Sequence, residues 1–318
     1  MTIKQPKQVI VAGLPRSGTT WLAKILDSHP QTLYQHEPDI PPTFPSMPLL
    51  VVPEQYEAFS AAIKYFASGL NELGRVRTSA TLPVFKKNNE SIFNLLGRKV
   101  VCSATKLAST RLGNIRVPQI FSPPEKEGMA LVWKTVDSVG RLGLFSKSLA
   151  PVKVVLILRH PCGVINSITT GIEKGIKAPT PRHEIDEIMR FESDLVTQVK
   201  ENLQKFDLLE LEAFKWAVLN SYAIESLEDN PDATIIRYED LVSNPLEESV
   251  QLFDKLEMPS DSQVERFIQK STNGNSSRYY GVYRKKAAVN VWKDVVPLDS
   301  QERVAKIVSG TKAAELYL

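Results

Sequence analysis

The run GLPRSGTTW, residues 13–21, follows the apolar stretch VIVAG and opens an amphipathic one. Small residues let backbone N–H groups close on an anion, and a helix start adds positive potential. Strand, glycine loop and helix in this order are the setting of a phosphate-binding loop. Against the pattern GxxxxGK followed by Ser or Thr, the chain keeps Gly13 and Gly18. It has Thr19 where the lysine that reaches the β- and γ-phosphates would stand, then Thr20, and its cation is Arg16, inside the loop. The apolar run VVLILR ends in Arg159, so no Asp stands at that strand end to hold Mg²⁺. A kinase or NTPase needs both missing groups. Pro15, Arg16, Ser17, Gly18, Thr19 and Thr20 therefore read as a cradle for a nucleotide phosphate that runs no γ-phosphoryl chemistry.

Other residues can do related work. Ser167 follows Arg159 by eight positions. A forked guanidinium and a hydroxyl outside the carboxyl end of a strand suit a second phosphate. Lys134 ends the run ALVWK, and Glu37 ends QHE within HPQTLYQHEP, residues 29–38. Tyr238 lies in RYEDL, residues 237–241, and RYYGVYRKK, residues 278–286, precedes VWK at 291–293. Four His and two Cys form no cluster with metal-ligand spacing, so no metal is expected.

PRSGTTW resembles the 5′-phosphosulfate loop of the sulfotransferases that use 3′-phosphoadenylyl sulfate (PAPS), and the similarity recurs from residue 9 to about residue 308. The resemblance implies sulfuryl transfer from PAPS to a hydroxyl, or failing that an amine, of a small molecule or glycan. Adenosine 3′,5′-bisphosphate is then the product. It assigns Arg159 and Ser167 to the 3′-phosphate and Tyr238 to the adenine. Trp21 corresponds to a tryptophan that stacks on the base in the cytosolic branch. Residues 278–293 resemble the loop that closes over the nucleotide, with Arg284 and Lys285 as its 3′-phosphate contacts. The cytosolic branch has Arg-Lys-Gly there and this chain has Arg-Lys-Lys, which leaves the choice among Arg284, Lys285 and Lys286 open.

HPQTLYQHEP resembles the carbohydrate and tyrosylprotein branches, whose general base is a Glu after this strand; that residue is Glu37. The cytosolic branch instead uses a His near a Lys-Thr pair. Here Lys134 and Thr135 are present, but Val136 occupies the His position. His36 is chemically capable, yet alternation along a strand would aim it away from Glu37. Lys134 looks like the lysine at the bridging oxygen. Arg16 and Lys134 would clamp the developing charge, with Thr19 and Thr20 donating hydrogen bonds.

Buried elements must hold these groups. Short runs rich in Val and Ile at Val9–Gly13, Lys99–Ala104, Met129–Trp133, Val152–Leu158 and Thr234–Arg237 read as strands covered on both faces. HPQTLYQHEP adds a short second strand. Gly18–Ser28, Pro161–Ile172, Glu184–Phe206, Glu210–Glu228, Leu246–Leu256, Gln263–Gln269 and Ser300–Val308 read as helices. The alternation predicts an α/β fold, a three-layer α/β/α sandwich on a mainly parallel sheet, like the P-loop nucleoside triphosphate hydrolases. One domain is expected over 1–318, with a substrate-side excursion at about 38–128 and a cofactor-closing loop at about 271–293.

Composition sets limits. The chain has 318 residues, 42% apolar and 24% charged, with a net charge of +3. That excludes disordered, collagen-like and coiled-coil chains, and it gives no reason to expect nucleic-acid binding. Cys102 and Cys162 cannot form a disulfide framework. No run approaches the roughly 20 apolar residues of a membrane span. A cytoplasmic location is expected. Residues 71–116 hold nine basic residues and two acids, a local balance of +7. A polyanionic acceptor would follow if they lined a cleft, and a solvated surface if not. No heptad or apolar stripe indicates an oligomeric state. A P-loop kinase and a non-catalytic nucleotide-binding module are the alternatives.

Overall fold

The computed structural model describes residues 7–41, 44–70, 81–112, 128–273 and 289–317. Its centre is a five-stranded sheet of β1 (Gln8–Ala12), β2 (Thr32–His36), β3 (Ala130–Thr135), β4 (Val152–Leu158) and β5 (Ala233–Arg237), in the order β2-β3-β1-β4-β5. Every neighbouring pair is parallel. The helices are α1 (Thr19–Asp27), α2 (Tyr56–Ser68), α3 (Ile92–Leu112), α4 (Leu142–Ser148), α5 (Pro161–Glu173), α6 (Arg182–Ile188) and α7 (Asp194–Val199). They continue with α8 (Leu208–Leu227), α9 (Tyr238–Ser243), α10 (Pro245–Lys255), α11 (Ser262–Asn273), α12 (Val291–Val295) and α13 (Leu298–Val308).

Alternation along the strands builds the two cores. Ile10, Leu131, Trp133, Val154 and Leu156 face a cluster that includes Phe145 of α4, Ile165 of α5 and Phe214 of α8. Val9, Val11, Val132, Val155 and Ile157 face a second cluster with Leu22 of α1, Leu241 of α9 and Phe267 of α11. Both faces are covered, as the unbroken apolar runs require. This is the expected three-layer arrangement.

Two expected elements differ. The run Lys99–Ala104 is no strand; it lies inside α3. The place beside β3 is taken by β2, and in a helix Cys102 and Thr105 are buried three residues apart while Val100 is 67% exposed. The expected helix Glu184–Phe206 is divided into α6, α7 and a 3₁₀ turn at Leu203–Lys205. The Ser193 hydroxyl accepts from the Val196 N–H at 3.2 Å and starts α7 afresh. By contrast, Asp207 and Glu210 form a reciprocal capping box that fixes the start of α8, close to the expected Glu210–Glu228.

Candidate active site

The loop after β1 is shaped by two glycines. A Cβ on Gly13 would lie 2.4 Å from the Ile157 carbonyl oxygen. Gly18, with φ +94°, would place one 2.4 Å from Cδ2 of Tyr238. A side chain at either position would force the loop away from the strand or from Tyr238. Arg16 also has positive φ, at 76°. The Ser17 hydroxyl is buried and finds no hydrogen-bond partner among the described residues. A buried hydroxyl without a partner inside a glycine cradle fits an anion acceptor completing it.

Residues from three parts of the chain meet at this loop. The Arg16 Nε donates to Ser167 Oγ of α5 at 2.8 Å. The Arg159 Nη1 donates to the Arg16 carbonyl at 3.1 Å. The Arg159 guanidinium lies 4.8 Å from the centre of the Tyr238 ring. Tyr238 is the first residue of α9, directly after β5, so its ring packs on both Gly18 and Arg159. Trp21 has no exposed surface; its indole N–H donates to Ser271 Oγ at 3.0 Å within the second core. In this conformation its ring packs in the core and is not open for stacking on a base. Arg284, Lys285 and Lys286 lie outside the described residues.

The opposite wall comes from β2 and β3. Their register pairs His36 with Lys134, and the Glu37 N–H donates to the Lys134 carbonyl at 2.8 Å. The Lys134 ammonium donates to Glu37 Oε1 and is only 2% exposed. A second clamp follows two residues on. The buried carboxylate of Asp39 accepts from the Thr135 and Ser138 hydroxyls, the latter at 2.6 Å. Burial raises the Asp39 pKa from its ordinary value, and these two hydrogen bonds oppose the rise.

His36 does not point away from Glu37. The strand ends at His36, and Glu37 has a positive φ of 46°, so the alternation no longer governs their relative direction. The His36 Nε2 lies 3.8 Å from Glu37 Oε1, and both residues line one cavity. Tyr34 Oη sits 2.7 Å from His36 Nδ1. Burial, with Asp27 and Glu37 nearby, holds the Tyr34 phenol well above its usual pKa and so protonated. A Tyr34 hydroxyl that donates to Nδ1 leaves the ring proton on Nε2, toward Glu37.

Between the walls lies a cavity of about 460 Å³. Arg16, Thr19, Thr20, Glu37 and Lys134 line it, as does Val136, which offers no acid or base. Lys24 of α1 also reaches it. The Lys24 ammonium donates to Asp27 at 2.7 Å and to Thr81 Oγ1 at 2.9 Å. Lys87 donates to the other oxygen of Asp27 at 3.0 Å. Burial lowers the pKa of both lysines, and the shared carboxylate opposes the fall. This buried cluster fastens Thr81 and Leu82 as one side of the cavity. Within the described part of the basic stretch 71–116, Lys87 pairs with Asp27 and Arg98 with Glu90, whereas Lys106 lines the cavity; Arg75, Arg77 and Arg116 lie outside the described residues. Among the described residues no group of three or more His, Cys, Asp or Glu could hold a metal ion, and no helix is long and apolar enough to cross a membrane.

A family model described as "Sulfotransferase family" matches residues 6–262. The chain belongs to this sulfotransferase family. Among curated proteins, rat (Rattus norvegicus) carbohydrate sulfotransferase 1 is 39% identical over 57 residues, which cover 17% of this chain and 14% of that protein. Among solved structures, the sulfotransferase domain from the curacin biosynthetic pathway is 16% identical, with TM-score 0.46, and the match covers 96% of this chain and 98% of that one. The mouse sulfotransferase SULT7A1 complexed with PAP is 10% identical, with TM-score 0.45, covering 98% of this chain and 87% of that one. In this sulfotransferase-family chain, sequence reasoning missed Lys24, Lys177 and His36 as cavity residues. Lys24 carried a faint signal, a lysine within the apolar stretch of α1. Lys177 carried none.

Proposed function

We propose that the chain transfers a sulfuryl group from PAPS to a hydroxyl of a small molecule or glycan, with Glu37 as general base. The observation that carries this reading is the Glu37–Lys134 pair facing Arg16, Thr19 and Thr20 across one cavity. An acceptor hydroxyl needs a base, and the bridging oxygen of the donor needs cations; both kinds of group are present. Glu37 takes the acceptor proton as the new S–O bond forms. Lys134 and Arg16 hold the negative charge left on the bridging oxygen as the old S–O bond breaks. Thr19 and Thr20 add hydrogen bonds to the departing 5′-phosphate. Ser17, with its buried hydroxyl, and the backbone of Pro15 to Gly18 would hold that phosphate. Arg159 and Ser167 would hold the 3′-phosphate, and Tyr238 would flank the adenine. We also read residues 1–318 as one catalytic unit, with Arg284 and Lys285 completing the nucleotide site.

The kinase reading is disfavoured by Thr19, which stands where a lysine would contact the β- and γ-phosphates. Thermal and urea unfolding with adenosine 3′,5′-bisphosphate, and in parallel with ATP–Mg²⁺, separates the readings. A ligand at about 100 times its dissociation constant adds ~2.7 kcal/mol of stability. The bisphosphate alone should produce this gain. A gain only with ATP–Mg²⁺ would overturn the sulfotransferase reading. A non-catalytic module would bind the bisphosphate yet transfer no radiolabelled sulfuryl group to any acceptor.

A further inference from the structure

The cavity is lined by cations beyond those proposed to hold the donor. Lys24 is matched by Asp27, and Lys134 by Glu37. Arg16 and the loop amides face the position proposed for the phosphosulfate. Two further lysines line the same cavity: Lys106 of α3 and Lys177, just beyond α5. Neither has an ion-pair partner among the described residues. The carboxylates nearest Lys177 in charge are Glu212 and Glu184, and each is engaged elsewhere. Glu184 accepts from the Lys215 ammonium, and Glu212 accepts from the Thr180 hydroxyl. Lys177 is half-buried, and the backbone N–H of its residue donates to the Gly171 carbonyl at 3.1 Å. Its ammonium has lost part of its hydration, and burial lowers its pKa, with the charges of Glu212 and Glu184 opposing the fall. An anion entering the cavity would restore what burial removed.

We propose that the acceptor carries an anionic group of its own, a carboxylate, phosphate or sulfate ester, and that Lys106 and Lys177 hold it while Glu37 faces the reacting hydroxyl. This rests on the sulfotransferase reading. It makes the two lysines specificity determinants for charge. They reach the cavity from α3 and from the turn after α5, so the acceptor site is built from two excursions off the sheet. The other basic residues of the 71–116 stretch that pair with Asp27 and Glu90 take no part.

The test compares matched acceptors on protein saturated with adenosine 3′,5′-bisphosphate. The probes are methyl β-D-glucuronide against methyl β-D-glucoside, and 4-hydroxyphenylacetate against its methyl ester. Dissociation constants are measured by calorimetry for the natural chain, for K106Q/K177Q and for K177E. The anionic member of each pair should bind about tenfold more tightly or better, as one well-placed ion pair permits. That ratio should collapse to within about twofold in K106Q/K177Q and fall at least as far in K177E. The proposal is overturned if the natural chain binds both members alike, prefers the neutral one or binds neither. It is equally overturned if the variants keep the natural ratio. Failure to bind the bisphosphate at all would instead remove the sulfotransferase reading, and this proposal with it. The affinity of each variant for the bisphosphate reports whether it is folded.

Discussion

Glu37 is held from two directions that a single substitution can separate. Its backbone N–H is bonded to the Lys134 carbonyl, and its side chain accepts from the Lys134 ammonium. Glu37→Gln keeps the size and the backbone bond but removes the base. Sulfuryl transfer should fall by about 10²–10⁴ in kcat, the usual contribution of a positioned base. Initial rates under saturating donor measure this, and near-natural turnover would remove Glu37 from the role. His36, whose Nε2 lies 3.8 Å from the same carboxylate, could act as a base only in the tautomer with its proton on Nδ1, opposite to the one that the Tyr34 contact sets. His36→Gln should therefore reduce kcat less than Glu37→Gln does; the reverse order would move the base to His36. Lys134→Ala removes a preorganised cation, and a loss of at least ~10²-fold is expected in kcat. The types of these residues were legible in the sequence, because QHEP and VWKT carry them in recognisable runs. Their pairing was not. Residues 37 and 134 are brought together by the parallel register of β2 and β3, a non-local match that no local pattern encodes. The direction of His36 was misread for a related reason: the alternation was carried one residue past the strand's end.

At the scale of elements, the β1–α1 loop works because two other elements press against it. Tyr238 at the start of α9 leaves no room for a side chain at Gly18, and the Ile157 carbonyl of β4 leaves none at Gly13. Gly18→Ala meets both the 2.4 Å approach to the Tyr238 ring and a backbone φ of +94°. Strain of about 1–3 kcal/mol is expected for such a residue. Bisphosphate affinity should fall at least tenfold, because the ring that must shift also packs on Arg159. Urea unfolding and calorimetry on the same variant read both effects, and unchanged affinity would contradict this account of the loop. This loop and its flanking elements were legible almost to the residue, since glycine spacing and apolar run lengths are local signals. The run Lys99–Ala104 misled because β-branched residues mark strands only where a sheet has room for them. Here β2, a polar-looking strand, holds that edge of the sheet. The break within Glu184–Phe206 was also hidden, because one serine cap outweighed a continuous apolar period.

Across the whole molecule, the C-terminal helices are tied to the strand end that carries Arg159. The His160 ring stacks on Trp292 of α12 with centroids 4.0 Å apart, and Tyr317 meets it edge-on at 5.4 Å. The His160 N–H donates to Glu239, whose other oxygen accepts from the Tyr317 hydroxyl. The Arg159 carbonyl accepts from the Trp216 indole of α8. Burial, and then Lys293, Arg159 and Arg237, lower the His160 pKa from 6.5 to about 4. The folded ring thus resists a proton that the unfolded chain accepts more readily. Its contribution to stability is complete above about pH 6.5 and is lost as pH falls from there toward 4. The ring keeps some contact with solvent, so screening reduces the effect, and about 1 kcal/mol between pH 7 and pH 5 is expected. His160→Asn tests this. Asparagine can still cap α5 in place of the ring nitrogen that accepts from the Cys162 N–H at 3.3 Å, but it does not titrate. The variant should be less stable than the natural chain at pH 7, having lost the stack on Trp292. Its free energy of unfolding in urea should then change less between pH 7 and pH 5. Parallel pH profiles for the two proteins would show that the acid sensitivity arises elsewhere and that the aromatic stack does not link His160 titration to the docking of the C-terminal helices.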